Sequence, residues 1–282
     1  MNDSIYEITV QKLAGKGIEN PRLEARLLIA DASGTSENEI SYSTVIEENL
    51  KIKLEENIQK RIQGMPLDKI LGRKGFYKYD FKVSEDVLSP RPETEILVEE
   101  ALQLIKENQF KKVLDLGVGS GCILISLLKE NPTLKGLGVD VSQKALKIAK
   151  ENAQSLQVET QCRFLNKSWF ENDFLQALDD DFDLIVSNPP YIKTKEIETL
   201  DVGVRKYDPI AALDGGKDGL KDYRRISELA SEILKQNGYI LLEVGLGQSD
   251  DVKQIFEKDG LKHVKTLKDY ANIDRVVVFK KI

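Results

Sequence analysis

Lys112-Val113-Leu114-Asp115-Leu116-Gly117-Val118-Gly119-Ser120-Gly121 decides the fold. An apolar run of strand length ends in three glycines at alternate positions, and Ile123, Leu124, Leu127 and Leu128 then recur at helical spacing. A strand that turns into a helix through glycines bends tightly and lets a ligand approach its backbone. The same pattern extends outward. Residues 136–140 read as a second strand, and Ala145, Leu146, Ile148, Ala149 and Ala153 as the helix after it. Residues 162–165, 182–187 and 239–244 read as a third, fourth and fifth strand. Residues 262–267 and 275–279 are separated only by a short turn, so they pair antiparallel and close the sheet. Upstream, Ile96, Leu97, Ala101, Leu104 and Ile105 mark one more helix. This alternation predicts an α/β fold with a doubly wound, mostly parallel sheet.

Before that domain the pattern is helical. Ile5, Ile8 and Leu13 fit one face of a first helix, and Pro21 suits the N1 position of a second that carries Leu23, Leu27 and Leu28. Residues 35–39 open a short third helix with capping chemistry. Leu50, Leu54, Ile58 and Ile62 step by four along a fourth, which Gly64-Met65-Pro66 stops. Phe76, Tyr77, Tyr79, Phe81 and Val83 then alternate with Lys78, Asp80 and Lys82, as in a β-hairpin. The predicted organisation is a helical bundle over residues 1–74, a hairpin linker over 75–90 and the sheet domain over 91–282.

The totals exclude several classes of function. A length of 282 residues, 41% hydrophobic and 31% charged, describes a soluble globular protein of two domains. A net charge of −6 argues against a general nucleic-acid binder, so no direct DNA binding is expected. No stretch approaches the roughly 18 apolar residues of a membrane span. The start, Met1-Asn2-Asp3-Ser4, lacks a basic segment followed by an apolar run, so a cytoplasmic protein without a signal peptide is expected. Cys122 and Cys162 are read as buried, reduced thiols. One histidine, His263, and two cysteines leave little room for a metal centre, and none is expected.

Two constellations carry chemistry. Asp140 ends the second strand 19 residues after Gly121, where a carboxylate can accept hydrogen bonds from both ribose hydroxyls of an adenosine cofactor. The glycine spacing is Gly-x-Gly-x-Gly, and Cys122 stands where a dinucleotide fingerprint would place its third glycine. This pattern resembles the first motif of class I S-adenosylmethionine-dependent methyltransferases, whose cofactor has no phosphate to cradle. The fourth strand stops at Asn188-Pro189-Pro190-Tyr191. Each proline fixes its own φ and pushes the residue before it toward extended geometry. The Asn188 side chain and the Pro189 carbonyl are thereby held as acceptors at the carboxyl end of a strand. The tetrapeptide resembles the signature of methyltransferases acting on a nitrogen conjugated with a π-system. Such a nitrogen is a weak nucleophile with two N–H donors, and two fixed acceptors would orient it for attack.

Further stretches occur in one order. They are Ser89-Pro90-Arg91-Pro92-Glu93-Thr94-Glu95, Ser168-Trp169-Phe170, and Ala212-Leu213-Asp214-Gly215-Gly216 with Asp218-Gly219-Leu220. With the glycine turn, Asn188–Tyr191 and the helical segment they resemble the HemK/PrmC family over nearly the whole chain. These are protein-(glutamine-N5) methyltransferases of peptide-chain release factors. The resemblance implies a class I methyltransferase fold, Rossmann-like with a mostly parallel seven-stranded sheet, behind a small helical bundle that recognises substrate. It implies S-adenosyl-L-methionine bound by Gly117, Val118, Gly119, Ser120, Gly121, Asp140, Trp169 and Asn188. It assigns catalysis to Asn188, Pro189 and Tyr191, and the glutamine slot to Asn188, Pro189, Pro190 and Tyr191. The substrate implied is the Gly-Gly-Gln glutamine of class I release factors, and a monomer is expected. Arg91 and Glu93 would steady the edge of the site, with a local salt bridge as the simpler role. Gly75 and Lys69 depart from the family, which commonly has a glutamate and an aromatic there. A ribosomal-protein glutamine and an adenine N6 in DNA are the alternative substrates.

Overall fold

The structure, a computed structural model, describes residues 4–178 and 181–282. In chain order it has α1 (Ile5–Ala14), α2 (Pro21–Ser33), α3 (Glu48–Ile62), α4 (Leu67–Leu71), β1 (Arg73–Phe76), β2 (Tyr79–Lys82), α5 (Glu95–Asn108), β3 (Lys112–Leu116) and α6 (Cys122–Glu130). There follow β4 (Lys135–Asp140), α7 (Gln143–Ser155), β5 (Cys162–Asn166), β6 (Phe182–Ser187), α8 (Val202–Tyr207), α9 (Lys221–Ile233), β7 (Leu234–Glu243), α10 (Ser249–Lys258), β8 (Leu261–Lys268) and β9 (Asp274–Lys281). The chain divides into two compact units, Met1–Arg73 with Asp201–Tyr207, and Lys74–Leu200 with Asp208–Ile282.

The first unit is helical, around Leu13, Leu28, Ile29, Leu54 and Ile58. Its details correct three expectations. The buried face of α1 is Tyr6, Thr9 and Leu13, while Ile8 is 37% exposed. Thr9 can be buried because its hydroxyl donates to the Ile5 carbonyl at 2.8 Å, which leaves no unpaired polar group. On α2, Leu23 is exposed and Ala25, Leu28, Ile29 and Ala32 face inward. Residues 35–39 yield only the single 3₁₀ turn Glu37–Glu39, capped by Ser36. That segment has no apolar residue to bury, so nothing offsets the cost of nucleating a longer helix.

The second unit is a seven-stranded sheet in the order β5-β4-β3-β6-β7-β9-β8. The strands from β5 to β7 pair parallel, and β9 pairs antiparallel with β7 and β8. Alternation along each strand builds a core on either face. Val113 of β3 with Leu184 and Val186 of β6 join Leu97 of α5 and Leu127 of α6 on one side. Leu114, Leu116 and Ile185 join Tyr223 and Ile226 of α9 and Phe256 of α10 on the other. The β1–β2 hairpin is tied down by Asn152 of α7, which accepts from the Lys82 N–H at 2.8 Å and donates to the Lys82 carbonyl at 3.0 Å. Cys122 and Cys162 are free, and both are half-buried rather than buried, because each sits at the end of its element. Among the described residues no helix is long and apolar enough to cross a membrane.

Candidate functional site

The strand order reverses between β3 and β6. The chain leaves β3 toward β4 on one side and leaves β6 toward β7 on the other. A crevice opens beyond the carboxyl ends of the strands at such a point. Ser187 stitches its floor, donating its hydroxyl to the Leu116 carbonyl at 2.6 Å. Gly117, Val118, Gly119, Ser120, Asp140, Trp169, Asn188 and Pro190 all line one cleft here. Gly121, Pro189 and Tyr191 adjoin lining residues in the chain but do not themselves line the cleft.

One end of the cleft is built around the glycine turn. The N–H groups of Gly117 and Val118 both donate to the Val139 carbonyl, at 2.9 and 3.0 Å, which fastens the turn to β4. Gly121 has φ +84°, a left-handed conformation that favours glycine, and a Cβ there would also crowd Ile125 Cδ1 at 2.6 Å. Asn152 donates to the Ser120 carbonyl at 2.8 Å from below. Asp140 Oδ2 accepts from the Gly119 N–H at 2.9 Å and Oδ1 from the Ser142 N–H at 2.8 Å. Burial raises the Asp140 carboxyl, and these two N–H groups draw it back. Each oxygen keeps a lone pair for a further donor. Trp169 is held at two points: its Nε1–H donates to Asp222 at 3.0 Å, and Arg225 donates to its carbonyl at 2.8 Å. Beneath the turn, Asp115 is fully buried, and no side chain pairs with its oxygens. Burial pushes this carboxyl up to about 8, opposed by the nearby Leu124 amide.

The other end is built around Asn188, one residue past the last register pair of β6 with β7, Ser187 beside Leu242. Asn188 Nδ2 donates to Thr94 Oγ1 at 3.4 Å, and the Thr94 hydroxyl donates to Glu243 Oε2 at 2.5 Å. Glu243 is 2% exposed, and burial raises its carboxyl to about 7 against the pull of Thr94 and Arg275. Tyr191 is pushed up to about 12, first by burial and then by the Glu243 charge. Gln248 clamps the platform. Its Nε2 donates to the carbonyls of Tyr191 and Gly219 at 3.0 and 3.2 Å, and its Oε1 accepts from the Gly245 N–H at 3.0 Å. Residues 212–220 brace it from outside. At Gly219, with φ +77°, a Cβ would lie 2.5 Å from the Tyr191 carbonyl oxygen, so only glycine fits. Arg91 lines the cleft and pairs with buried Asp208 at 2.9 Å. Glu93 is half-buried, and its charge acts on Tyr191 and Glu243.

The arrangement offers a nucleoside an acceptor carboxylate and an aromatic wall, and offers a planar NH₂ group a fixed acceptor at the far end. Sequence reading misses Thr94, Asp222, Glu243 and Gln248 as parts of the site. Glu243 carries the signal that singles out Asp140, an acid at the carboxyl end of an apolar strand. Thr94 lies inside the quoted stretch Ser89 to Glu95. Nothing local marks Asp222 or Gln248.

Comparison with known proteins agrees with this geometry. The Methyltransferase small domain family matches residues 92–204, and the PrmC N-terminal domain family matches residues 5–72. A release factor glutamine methyltransferase of Caulobacter vibrioides is 41% identical over 95% of this chain and 92% of its own length. One of Agrobacterium fabrum is 38% identical over 96% of this chain and 94% of its own. Among solved structures, a methyltransferase of Pyrococcus furiosus superposes with a TM-score of 0.52 at 16% identity, over 83% of this chain and 99% of that one, which shows the shared fold.

Proposed function

This chain belongs to the family of release factor glutamine methyltransferases, and we propose that it transfers a methyl group from S-adenosyl-L-methionine to the side-chain amide nitrogen of the glutamine in the Gly-Gly-Gln motif of class I peptide-chain release factors. The observation that carries the reading is that one cleft is lined by the glycine turn, Asp140 and Asn188 together.

The residues present fit this cofactor. Gly117–Gly121 would receive its methionine end and Asp140 its ribose hydroxyls, with Trp169 walling the adenine. Asp140 lines the cleft and its two oxygens meet only the Gly119 and Ser142 N–H groups, which leaves lone pairs for those hydroxyls. When bound, the cofactor supplies an electrophilic methyl on a sulfonium sulfur. The rest is done by side chains that position and polarise. An amide nitrogen delocalises its lone pair into the carbonyl, so it attacks poorly. Asn188 Oδ1 and the Pro189 carbonyl take its two N–H groups and direct the lone pair along the cleft. As the nitrogen gains the methyl it becomes positive, and the same acceptors stabilise that charge until one hydrogen leaves as a proton to water at the open side of the cleft. Losing one preorganised partner of this kind costs about 10²–10³ in kcat. Tyr191 and Pro190 shape the slot for the flat amide. Arg91, tied to Asp208, holds the edge of the cleft.

We assign residues 1–74 to recognition of the release factor, 75–90 to a linker and 91–282 to catalysis. The match of residues 5–72 to the PrmC N-terminal domain supports the first of these. The test is to offer the purified protein labelled S-adenosylmethionine with a release factor, a ribosomal protein or DNA, in separate reactions. Label on the release factor alone is expected. Label on DNA or ribosomal protein instead would refute the assignment.

A further inference from the structure

Asn188 can serve a substrate amide only with Oδ1 turned toward it, and an Asn side chain has no intrinsic preference between its two ends. Two features of the fold supply one. The end of β7 brings Glu243 beside Asn188, and the turn before α5 inserts the Thr94 hydroxyl against the Glu243 carboxylate. An ionised carboxylate only accepts, so the single Thr94 hydrogen is committed to Glu243 at 2.5 Å. The lone pairs of Thr94 Oγ1 then face Asn188 Nδ2, 3.4 Å away. A hydroxyl that can only accept selects the NH₂ end of the amide.

Resting on the reaction proposed above, we propose that Thr94 and Glu243 are positioning residues for methyl transfer, acting as a relay that fixes the Asn188 amide with Oδ1 free for the substrate. Neither Thr94 nor Glu243 supplies or removes a proton in the reaction. Protonating Glu243 undoes the relay. The carboxyl then donates to Thr94, the Thr94 hydrogen is released toward Asn188, and the amide turns its NH₂ end to the substrate's own N–H groups. The groups around Glu243 are Thr94 and the Asn188 amide itself, which both draw its carboxyl down, with Arg275 on β9, Glu93 before α5, Tyr191, Tyr223 on α9 and Cys122 at the start of α6. Tyr223 donates its hydroxyl to the Glu243 backbone carbonyl at 2.8 Å and so anchors the strand end without titrating the carboxyl.

Thr94→Val keeps the shape and removes the relay, whereas Thr94→Ser keeps the hydroxyl. With a release factor as substrate, Thr94→Val should lower kcat about 30–100-fold, with KM and cofactor affinity within about threefold, and Thr94→Ser should recover most of the loss. The wild-type profile of kcat should fall on the acid side of about 7, and Glu243→Gln should flatten that limb. A second readout needs no turnover. The Asn188 side-chain NH₂ resonance of the cofactor-free protein, assigned by its absence in Asn188→Ala, should move with pH near 7 in wild type, move less in Thr94→Val and stay fixed in Glu243→Gln. A wild-type resonance that ignores pH, or a Thr94→Ser variant as slow as Thr94→Val, would overturn the relay. Wild-type inactivity on the release factor would instead overturn the proposed reaction, and the resonance would still decide the relay.

Discussion

Asp140 and Glu243 occupy equivalent places on either side of the switch point. Asp140 closes β4, beside β3, and Glu243 closes β7, beside β6. They are used in opposite ways. Asp140 lines the cleft, and its oxygens meet only backbone N–H groups, so its spare lone pairs face a guest. Glu243 is buried and meets a side-chain hydroxyl, so it acts on another residue. The difference teaches that an acid at a strand end is a ligand only when the chain around it leaves lone pairs directed at solvent. Where a neighbouring element covers the carboxylate, it sets the orientation of its neighbours.

If the two ends of the cleft are separate in this way, their variants should separate too. Asn188→Ala gives the largest effect, a fall in kcat of about 10³, while cofactor affinity measured by calorimetry stays within about threefold. Equal loss of both would break the comparison. Next is the pH dependence of stability. The Glu243 carboxyl is raised from 4.5 to about 7, so the folded chain holds this proton more tightly than the unfolded chain. Its favourable contribution is complete below pH 4.5 and is lost as pH rises to about 7. In denaturant titrations wild type should therefore lose stability relative to Glu243→Gln over that window, by a few kcal/mol, and the difference should be level above pH 8. Asp140→Asn keeps one acceptor and removes the charge. It should weaken cofactor binding about 10–30-fold with kcat at saturation within a few-fold. The smallest effect belongs to Trp169→Phe, which strands the buried Asp222 without its indole donor and should cost about 1 kcal/mol in cofactor affinity.

Much of this was legible before any coordinates. The strands and their helices show because an apolar period changes from two to near four at each glycine or proline. The glycine turn, Asp140 and Asn188–Tyr191 show because each is a local motif. What stays hidden depends on contacts far apart in sequence. Thr94 and Glu243 are 149 residues apart, and Trp169 and Asp222 are 53 apart. Those pairings follow only once the sheet order is known. The outward turn of Ile8 is hidden for another reason. Hydropathy cannot see that Thr9 satisfies its own hydroxyl and takes the inner face. Asp201–Tyr207 carries no mark in its composition that it clusters with the helical unit.

The most direct test is to locate the methyl group. A release factor incubated with this protein and S-adenosyl-L-methionine, then digested and fragmented by mass spectrometry, should carry one methyl on the side-chain amide nitrogen of the Gly-Gly-Gln glutamine, and none after incubation with Asn188→Ala. A methyl on any other atom, or an Asn188→Ala variant that still modifies that glutamine, would contradict the account.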